Sequence, residues 1–216
     1  MKPFTYFILF LVLLTSCKSY RLRQTTAGEQ IEQLKNGVLL VRLRTLEGKA
    51  AALQEIGQDE EALKVEKEQE LQNKYIMRGF SQLFDFCPVY FFYSTHAKQV
   101  RAQDFAGVIF DAEGRPVAPE ELSNKPYFIA HYGEYDEPGA NSVNTELKGV
   151  IIRDRDFVQL APPFPSSASI NSFLTGSSAE ESSIRLMNTK LNEFLVNSQI
   201  RQQKRALKEA RKALSN

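Results

Sequence analysis

The apolar positions of this chain form two short continuous runs, separated by a long stretch with helical spacing. Residues 38–43 are nearly all apolar, which predicts a strand buried on both faces. Residues 86–93 are rich in β-prone aromatic side chains and predict a second strand, with Pro88 near its start. Residues 47–84 carry apolar side chains three and four positions apart and break at Gly57, which predicts a helical hairpin. Because a strand, a helical crossover and a strand favour a parallel pair, we expect an α/β fold.

The second half of the chain predicts more strands and a long terminal helix. Strands are expected over residues 107–111, 126–132, 148–152 and 157–160, the last two as a hairpin. Residues 161–178 are rich in Pro and Ser and predict a linker. Ser178 and Glu181 have the spacing of a capping box, which predicts a helix over 179–216. The predicted fold is a mixed sheet of about five to six strands, with a helical-hairpin crossover and a long C-terminal helix, and its α/β domain covers 37–160.

The N-terminus has the organisation of an export signal. Lys2 precedes an apolar run over residues 4–14, which is too short for a membrane-spanning helix of about 20 residues. The run ends in Leu14-Thr15-Ser16-Cys17, which resembles the lipobox of bacterial lipoproteins. The resemblance implies a signal peptide over 1–16, a diacylglycerol thioether on Cys17 and a lipidated tether over 17–36.

Two other readings of the N-terminus are an ordinary cleaved signal peptide and an uncleaved anchor. The first leaves the position of Cys17 as a coincidence, and the second needs a longer apolar run. The residue after Cys17 is Lys18, where an Asp marks inner-membrane retention in enteric-type lipoproteins. The resemblance therefore implies the periplasmic face of the outer membrane. Residues 86–93 are also similar to uncharacterised envelope lipoproteins of bacteria, which implies a location but no activity.

Few side chains suggest chemistry. Cys87 enters an apolar strand, which favours a buried, inert thiol over a lone redox thiol. His131 precedes Glu134, Asp136 and Glu137, which favours a solvated acidic loop over a divalent-ion site or a weak general base. The chain contains no nucleophile elbow, no phosphate-binding Gly loop and no His-Glu-x-x-His motif. The sequence therefore assigns no catalytic, cofactor-binding or metal-binding residue; its one assigned site is lipidation at Cys17.

Charge narrows the class of partner. The formal net charge is +1 at pH 7, whereas nucleic-acid-binding domains usually carry a clear basic excess, so no nucleic acid is expected. Between residues 201 and 212 the chain has six cations and one acid. This pattern is typical of a solvated helix end, and it also fits a surface for an envelope protein or an anionic membrane.

The sequence thus predicts a lipid-anchored envelope protein that binds or scaffolds another envelope component without catalysis. It does not specify a small-molecule ligand. The alternative is an α/β enzyme with an active site near His131 or Cys87. Residues 110–117 resemble a strand and turn of thioredoxin-like sheets, but the Cys-x-x-Cys motif of that family is missing.

Overall fold

A computed structural model describes residues 23–135, 147–169 and 178–215. Its centre is a five-stranded sheet with the strand order β2-β1-β3-β4-β5. The strands are β1 (Val38–Leu43), β2 (Val89–Tyr93), β3 (Tyr127–Tyr135), β4 (Leu147–Arg153) and β5 (Ser167–Ser169). Strand β1 runs parallel to both β2 and β3, whereas β4 is antiparallel to β3 and to β5. The predicted α/β fold with a mixed sheet is confirmed.

In the described parts of the chain, five α-helices accompany this sheet. They are α1 (residues 23–36), α2 (Glu47–Glu55), α3 (Asp59–Leu83), α4 (Ala97–Arg101) and α5 (Ala179–Leu214). Helices α2 and α3 form the predicted hairpin crossover between β1 and β2, and they separate at Gly57, which has a φ of 74°. Within the described ranges, no helix combines the length and the apolar character that a bilayer crossing requires.

One face of the sheet is covered by α1, α3 and α5. Strand β1 contributes its odd-numbered residues to this face, because side chains of a strand alternate between the two faces. They pack with apolar side chains from all three helices in one continuous cluster. Its members include Leu39, Val41, Ile31, Phe80, Ile184 and Leu191. The terminal helix thus shares a face with the hairpin.

The opposite face is covered by α4 and by the irregular chain that follows it. Val38, Leu40 and Ile129 supply the sheet side of this second cluster. The covering side is formed by apolar residues between α4 and β3. They are Val100, Phe105, Val108, Ile109, Val117 and Leu122. The chain therefore crosses one face between β1 and β2, and the other face between β2 and β3.

The tether expected over 17–36 is, from residue 23 onward, a helix of the core. Ala27, Ile31 and Leu34 on α1 are at most 2% exposed. Their spacing of four and three places them on one helical face, which is buried against the sheet. This apolar spacing is present in the sequence, but the polar residues between these positions gave the segment the composition of a tether.

Two predicted strands are absent from the sheet. Residues 107–111 are irregular, and Phe110 makes only isolated bridges to Phe91 and Pro116. Residues 157–160 likewise contribute one bridge, between Gln159 and Arg153. Strand β4 pairs instead with β5, which lies inside the expected linker over 161–178.

Close backbone approach explains how β5 fits against β4. A Cβ atom on Gly149 would lie 2.1 Å from the carbonyl oxygen of Ala168, so only glycine fits there. Phe164 is buried at 3% exposure, which fixes the chain just before β5. The described part of the predicted linker, residues 161–169, is therefore packed structure.

The predicted cap of α5 is present. The hydroxyl of Ser178 accepts a 3.2 Å hydrogen bond from the backbone N–H of Glu181. The Glu181 carboxylate accepts a 2.7 Å hydrogen bond from Arg78 on α3 rather than returning to the cap. The start of α5 is thus held to α3 by an ion pair.

Candidate functional site

A cleft opens where β1 and β2 end. The chain leaves β1 toward the face covered by α3 and leaves β2 toward the opposite face. Connections that diverge in this way leave a crevice at the carboxyl ends of parallel strands, where α/β proteins commonly bind ligands. Here the crevice is a cavity of about 430 Å³, bordered on one side by β3, which extends beyond β1. Its lining residues are Arg42, Arg44, Thr45, Ser94, His131, Tyr132, Gly133 and Glu134.

Hydrogen bonds fix the two loops that form the mouth of the cleft. The backbone N–H of Thr45 donates a 3.0 Å hydrogen bond to the hydroxyl of Ser94, and the two hydroxyls are also 3.0 Å apart. Behind them, the side-chain amide of Asn73 donates a 2.8 Å hydrogen bond to the carbonyl oxygen of Arg44. Asn73 is 8% exposed and accepts a hydrogen bond from the buried amide of Gln69. The loop after β1 is therefore held on α3 by a buried polar pair.

Arg42 and His131 lie side by side on the floor of the cleft. Val41 is level with Ala130 in the parallel β1–β3 ladder, so the next residues of both strands share the opposite face. Neighbouring strands are about 4.8 Å apart, so the aliphatic part of the Arg42 side chain lies beside the imidazole of His131. Arg153, on β4, is level with Ile129 and lies on the same face.

Arg42 is half-buried, and its Nε is fully enclosed without a hydrogen-bond partner in the described part of the chain. Burial lowers the pKa of Arg42, and the charges of Arg44 and Arg153 lower it further. Its guanidinium carbon lies 6.0 Å from the centre of the Phe157 ring. A buried donor without a partner costs about 1–3 kcal/mol. Because this Nε has almost no accessible surface, the cleft is reached by the rest of the Arg42 side chain.

His131 is a neutral imidazole at pH 7. Burial lowers its pKa to about 4, with further contributions from Arg153, Arg42 and Arg44. A base this weak is poorly matched to proton abstraction near neutral pH. Each ring nitrogen of the neutral form can still donate or accept one hydrogen bond. His131 therefore contributes polarity to the floor without adding a fourth cation.

Glu134, the described carboxylate that the sequence placed near His131, has its negative charge partly neutralised by a lysine. Glu134 lies 3.4 Å from the ammonium group of Lys148 across the β3–β4 ladder, and both side chains are exposed. Asp136 and Glu137, which the sequence grouped with Glu134, fall outside the described residues. Among the described residues no three His, Cys, Asp or Glu side chains are grouped closely enough to hold a metal ion. The cleft as described is cationic, with Arg42, Arg44 and nearby Arg153 against Glu134.

Cys87 lies at the other end of the sheet. The residue after it, Pro88, accepts a hydrogen bond from Leu39 near the amino end of β1, whereas His131 is level with the carboxyl end. Five residues of strand, about 16 Å, separate the two levels. Cys87 is 8% exposed, and burial raises its pKa to about 12. The expectation of a buried thiol is confirmed, and the two residues of the enzyme hypothesis do not share a site.

The chain has one other histidine, His96, and one predicted lipidation site, Cys17. His96 is on the turn after β2, where its Nδ1 is 2.8 Å from the amide oxygen of Gln99. Cys17, the predicted lipidation site, falls outside the described residues. The chemistry that sequence reasoning missed is carried by Arg42 and Arg44. One signal was present, because Arg42 is a charged residue inside an otherwise apolar strand.

Comparisons with family models, with curated proteins and with solved structures found no match to this chain.

Proposed function

We propose that this protein is a lipid-anchored component of the bacterial envelope that binds a small anionic ligand without transforming it. The observation that carries the proposal is the half-buried guanidinium of Arg42 in the lining of the cleft, close to the charges of Arg44 and Arg153. The planar guanidinium group matches the paired oxygens of a carboxylate or a phosphate. Arg44 and the hydroxyls of Thr45 and Ser94 add donors around the same cavity.

The size and rigidity of the cleft suit a small ligand. A cavity of about 430 Å³ falls at the lower end of the range for small-molecule sites. The hydrogen bonds of Asn73 and Ser94 hold both loops in place, so the donors are arranged before the ligand arrives. Preorganised donors lose less conformational entropy on binding, which favours affinity.

Binding is favoured over catalysis by the character of the nearby groups. His131 has its pKa lowered to about 4, which makes it a weak base, and Cys87 lies at the other end of the sheet with its pKa raised to about 12. A reactive thiol needs a lowered pKa and access to solvent. The thioredoxin-like alternative therefore has no supporting group at the cleft.

The proposed location follows from the lipobox resemblance at Cys17. Two or more acyl chains hold a protein stably at a membrane, since each buried CH₂ contributes about 0.8 kcal/mol. Lys18 at the following position supports sorting to the periplasmic face of the outer membrane. The globular body would then present its cleft to solutes of the periplasm.

Calorimetric titration tests the ligand class. Inorganic phosphate and citrate serve as the phosphate and carboxylate probes. We expect at least one to bind, and the Arg42→Gln/Arg44→Gln double variant to lose at least about tenfold in affinity, because each guanidinium supplies charge-assisted hydrogen bonds. Arg155→Gln, which removes an exposed guanidinium outside the cleft, is the matched control and should bind normally.

Two results would overturn the ligand proposal: neither anion binds in the millimolar range, or the double variant binds as tightly as the parent. Arg44→Gln alone guards against misfolding, since Arg44 is exposed and its backbone carbonyl is unaffected.

Membrane fractionation tests the anchor separately. Cys17→Ala removes the only candidate acylation site that the lipobox resemblance provides, so the variant should be released by a high-salt wash while the parent stays in the membrane fraction. Cys87→Ala keeps Cys17 and is the matched control. A Cys17→Ala protein that resists the salt wash would contradict lipid anchoring.

A further inference from the structure

The last part of α5 has no buried residue. The buried residues of α5 end at Ser198, and every residue from Gln202 to Leu214 is exposed. At about 1.5 Å per residue, the stretch beyond Arg205 extends roughly 13 Å as helix. This end of α5 is therefore available for contact with another molecule or with a membrane surface.

The charges of this end lie on one helical face. Between residues 201 and 212 six cations face a single acid, Glu209. At about 100° per residue, all six fall within an arc of roughly 120°. They are Arg201, Lys204, Arg205, Lys208, Arg211 and Lys212. We call this set the basic face.

Exposed apolar side chains border the basic face. Ile200, Leu207 and Leu214 are 42%, 61% and 90% exposed, and their spacing of seven places them along one edge of the basic arc. A helix with Lys and Arg on one face and large apolar side chains beside them is typical of a helix lying at a membrane interface.

The start of α1 is fastened to the same region of α5. Arg205 donates a 3.2 Å hydrogen bond to the hydroxyl of Thr25, and Gln202 donates a 3.0 Å hydrogen bond to the carboxylate of Glu32. The two helices touch closely, since a Cβ atom on Gly28 would lie 2.7 Å from the hydroxyl of Ser198. Lys35 near the end of α1 and Asn188 in the first part of α5 both bond to the backbone of Phe86, so the two helices run antiparallel and the start of α1 lies beside the exposed end of α5.

Chain length then limits how far the proposed anchor lies from the basic face. Eight residue steps separate Cys17 from Thr25, which at full extension span no more than about 28 Å. Thr25 is itself bonded to Arg205, a member of the basic face. A lipid on Cys17 therefore holds the membrane surface within reach of the exposed end of α5.

We infer that the basic face is a membrane-docking surface for anionic lipid headgroups. This inference rests on the proposed anchor for its orientation, but the attraction itself needs no acyl chain. Headgroup phosphates supply the negative charge that six clustered cations recognise, and the bordering apolar residues enter the interface. Docking would fix the orientation of the body relative to the bilayer and so the direction in which its cleft opens.

The test uses the mature chain from residue 17 with Cys17→Ala, so that acylation plays no part. Its sedimentation is measured with phosphatidylcholine vesicles and with vesicles in which about a third of the lipid is phosphatidylglycerol. We expect binding to the anionic vesicles only, and its loss at about 1 M salt, where the screening length is about 3 Å.

Charge variants locate the binding surface. Reversing Lys208, Arg211 and Lys212 to Glu should weaken binding by at least about two orders of magnitude, since each lost cation near an anionic surface removes about a fivefold factor and each Glu adds repulsion. The control reverses three exposed lysines of other helices to Glu, giving the same change in net charge. They are Lys49, Lys67 and Lys98. A third variant changes Lys208, Arg211 and Lys212 to Gln. It tests the loss of charge alone, because acidic residues near a helix C-terminus destabilise the helix by themselves.

The inference fails if the parent does not prefer anionic vesicles. It also fails if the Glu and Gln variants of the basic face both bind as tightly as the control. It also fails if the parent instead forms a dimer that Leu207→Glu abolishes, since the exposed apolar edge would then serve a second copy of the chain. Because the vesicle test uses a non-acylated chain, its failure leaves the fractionation result at Cys17 untouched.

Discussion

The side-chain amide of Asn73 donates a 2.8 Å hydrogen bond to the carbonyl oxygen of Arg44, joining the middle of α3 to the loop that leaves β1. Both this amide and that of Gln69, which donates to Asn73, are almost fully buried. A polar pair inside a helix that is otherwise amphipathic is thus explained by the cleft it supports. The same contact links the stability of the fold to the position of a loop that lines the cleft.

We predict that Asn73→Leu lowers both stability and affinity for the anion. The change removes the side-chain donor of the Arg44 carbonyl and the closer of two acceptors of the Gln69 amide, which should lower the free energy of unfolding by about 1–3 kcal/mol. Denaturant unfolding and calorimetric titration measure the two effects. Glu66→Ala, on the exposed side of the same helix, is the control. A stability loss below about 0.5 kcal/mol would show that this hydrogen bond does not hold the loop.

His131 should make stability depend on pH. Its pKa is about 4 in the folded protein and about 6.5 when unfolded, so between these values the unfolded chain binds more protons. The contribution of His131 is therefore complete above pH 6.5 and is lost as the pH falls toward 4. When the pH is lowered from 7 to 5, the free energy of unfolding of the parent protein should fall by about 2 kcal/mol more than that of His131→Gln, as measured by denaturant unfolding. Equal pH profiles for the two proteins would contradict the lowered pKa.

Cys87 should be unreactive in the native protein. Burial raises its pKa to about 12, so almost no thiolate forms at pH 8, and the residue is only 8% exposed. In the Cys17→Ala background, a thiol reagent should label Cys87 only after denaturant is added. Unlabelled native protein that is subsequently denatured and then labelled fully provides the control. Rapid labelling without denaturant would show that the thiol is accessible and would reopen the redox hypothesis.

The assignment of α1 to the core predicts a large effect at Ile31, which has no solvent exposure. Ile31→Ala should lower the free energy of unfolding by about 2–5 kcal/mol, because it removes buried volume from the main cluster. Glu29→Ala, an exposed change on the same helix, should have an effect within about 0.5 kcal/mol. If Ile31→Ala is as mild as its control, residues 23–36 act as the tether that their composition suggested.

Much of the framework was visible in the sequence because it depends on local patterns. The continuous apolar run over 38–43 and the aromatic run ending at Tyr93 gave both parallel strands, and the helical spacing between them gave the crossover. The capping pair at Ser178 likewise marked the start of α5 correctly. Each of these signals is set by neighbouring residues, so a single sequence is enough to reveal it.

Strand pairing in the second half was decided by packing. Residues 157–160 have strand-like composition, yet β4 pairs with Ser167–Ser169, a segment of low β-propensity. The partner is selected because Gly149 allows the backbone of Ala168 to approach and because Phe164 is buried just before it. Such contacts join residues that are about twenty positions apart, and local propensity does not encode them.

The sequence by itself determined the signal-like N-terminus with Cys17, the α/β class and the basic composition of the last helix, since each is a property of contiguous residues. Only the tertiary structure brought Arg42, Arg44 and His131 together, because they come from strands that are distant in the chain and become neighbours through the parallel β1–β3 ladder. It alone also placed Thr25 against Arg205, 180 residues apart in the sequence, and so joined α1 to α5. Long-range pairing follows from packing the whole core, and for that reason the local pattern could indicate the elements but not the sites that they form.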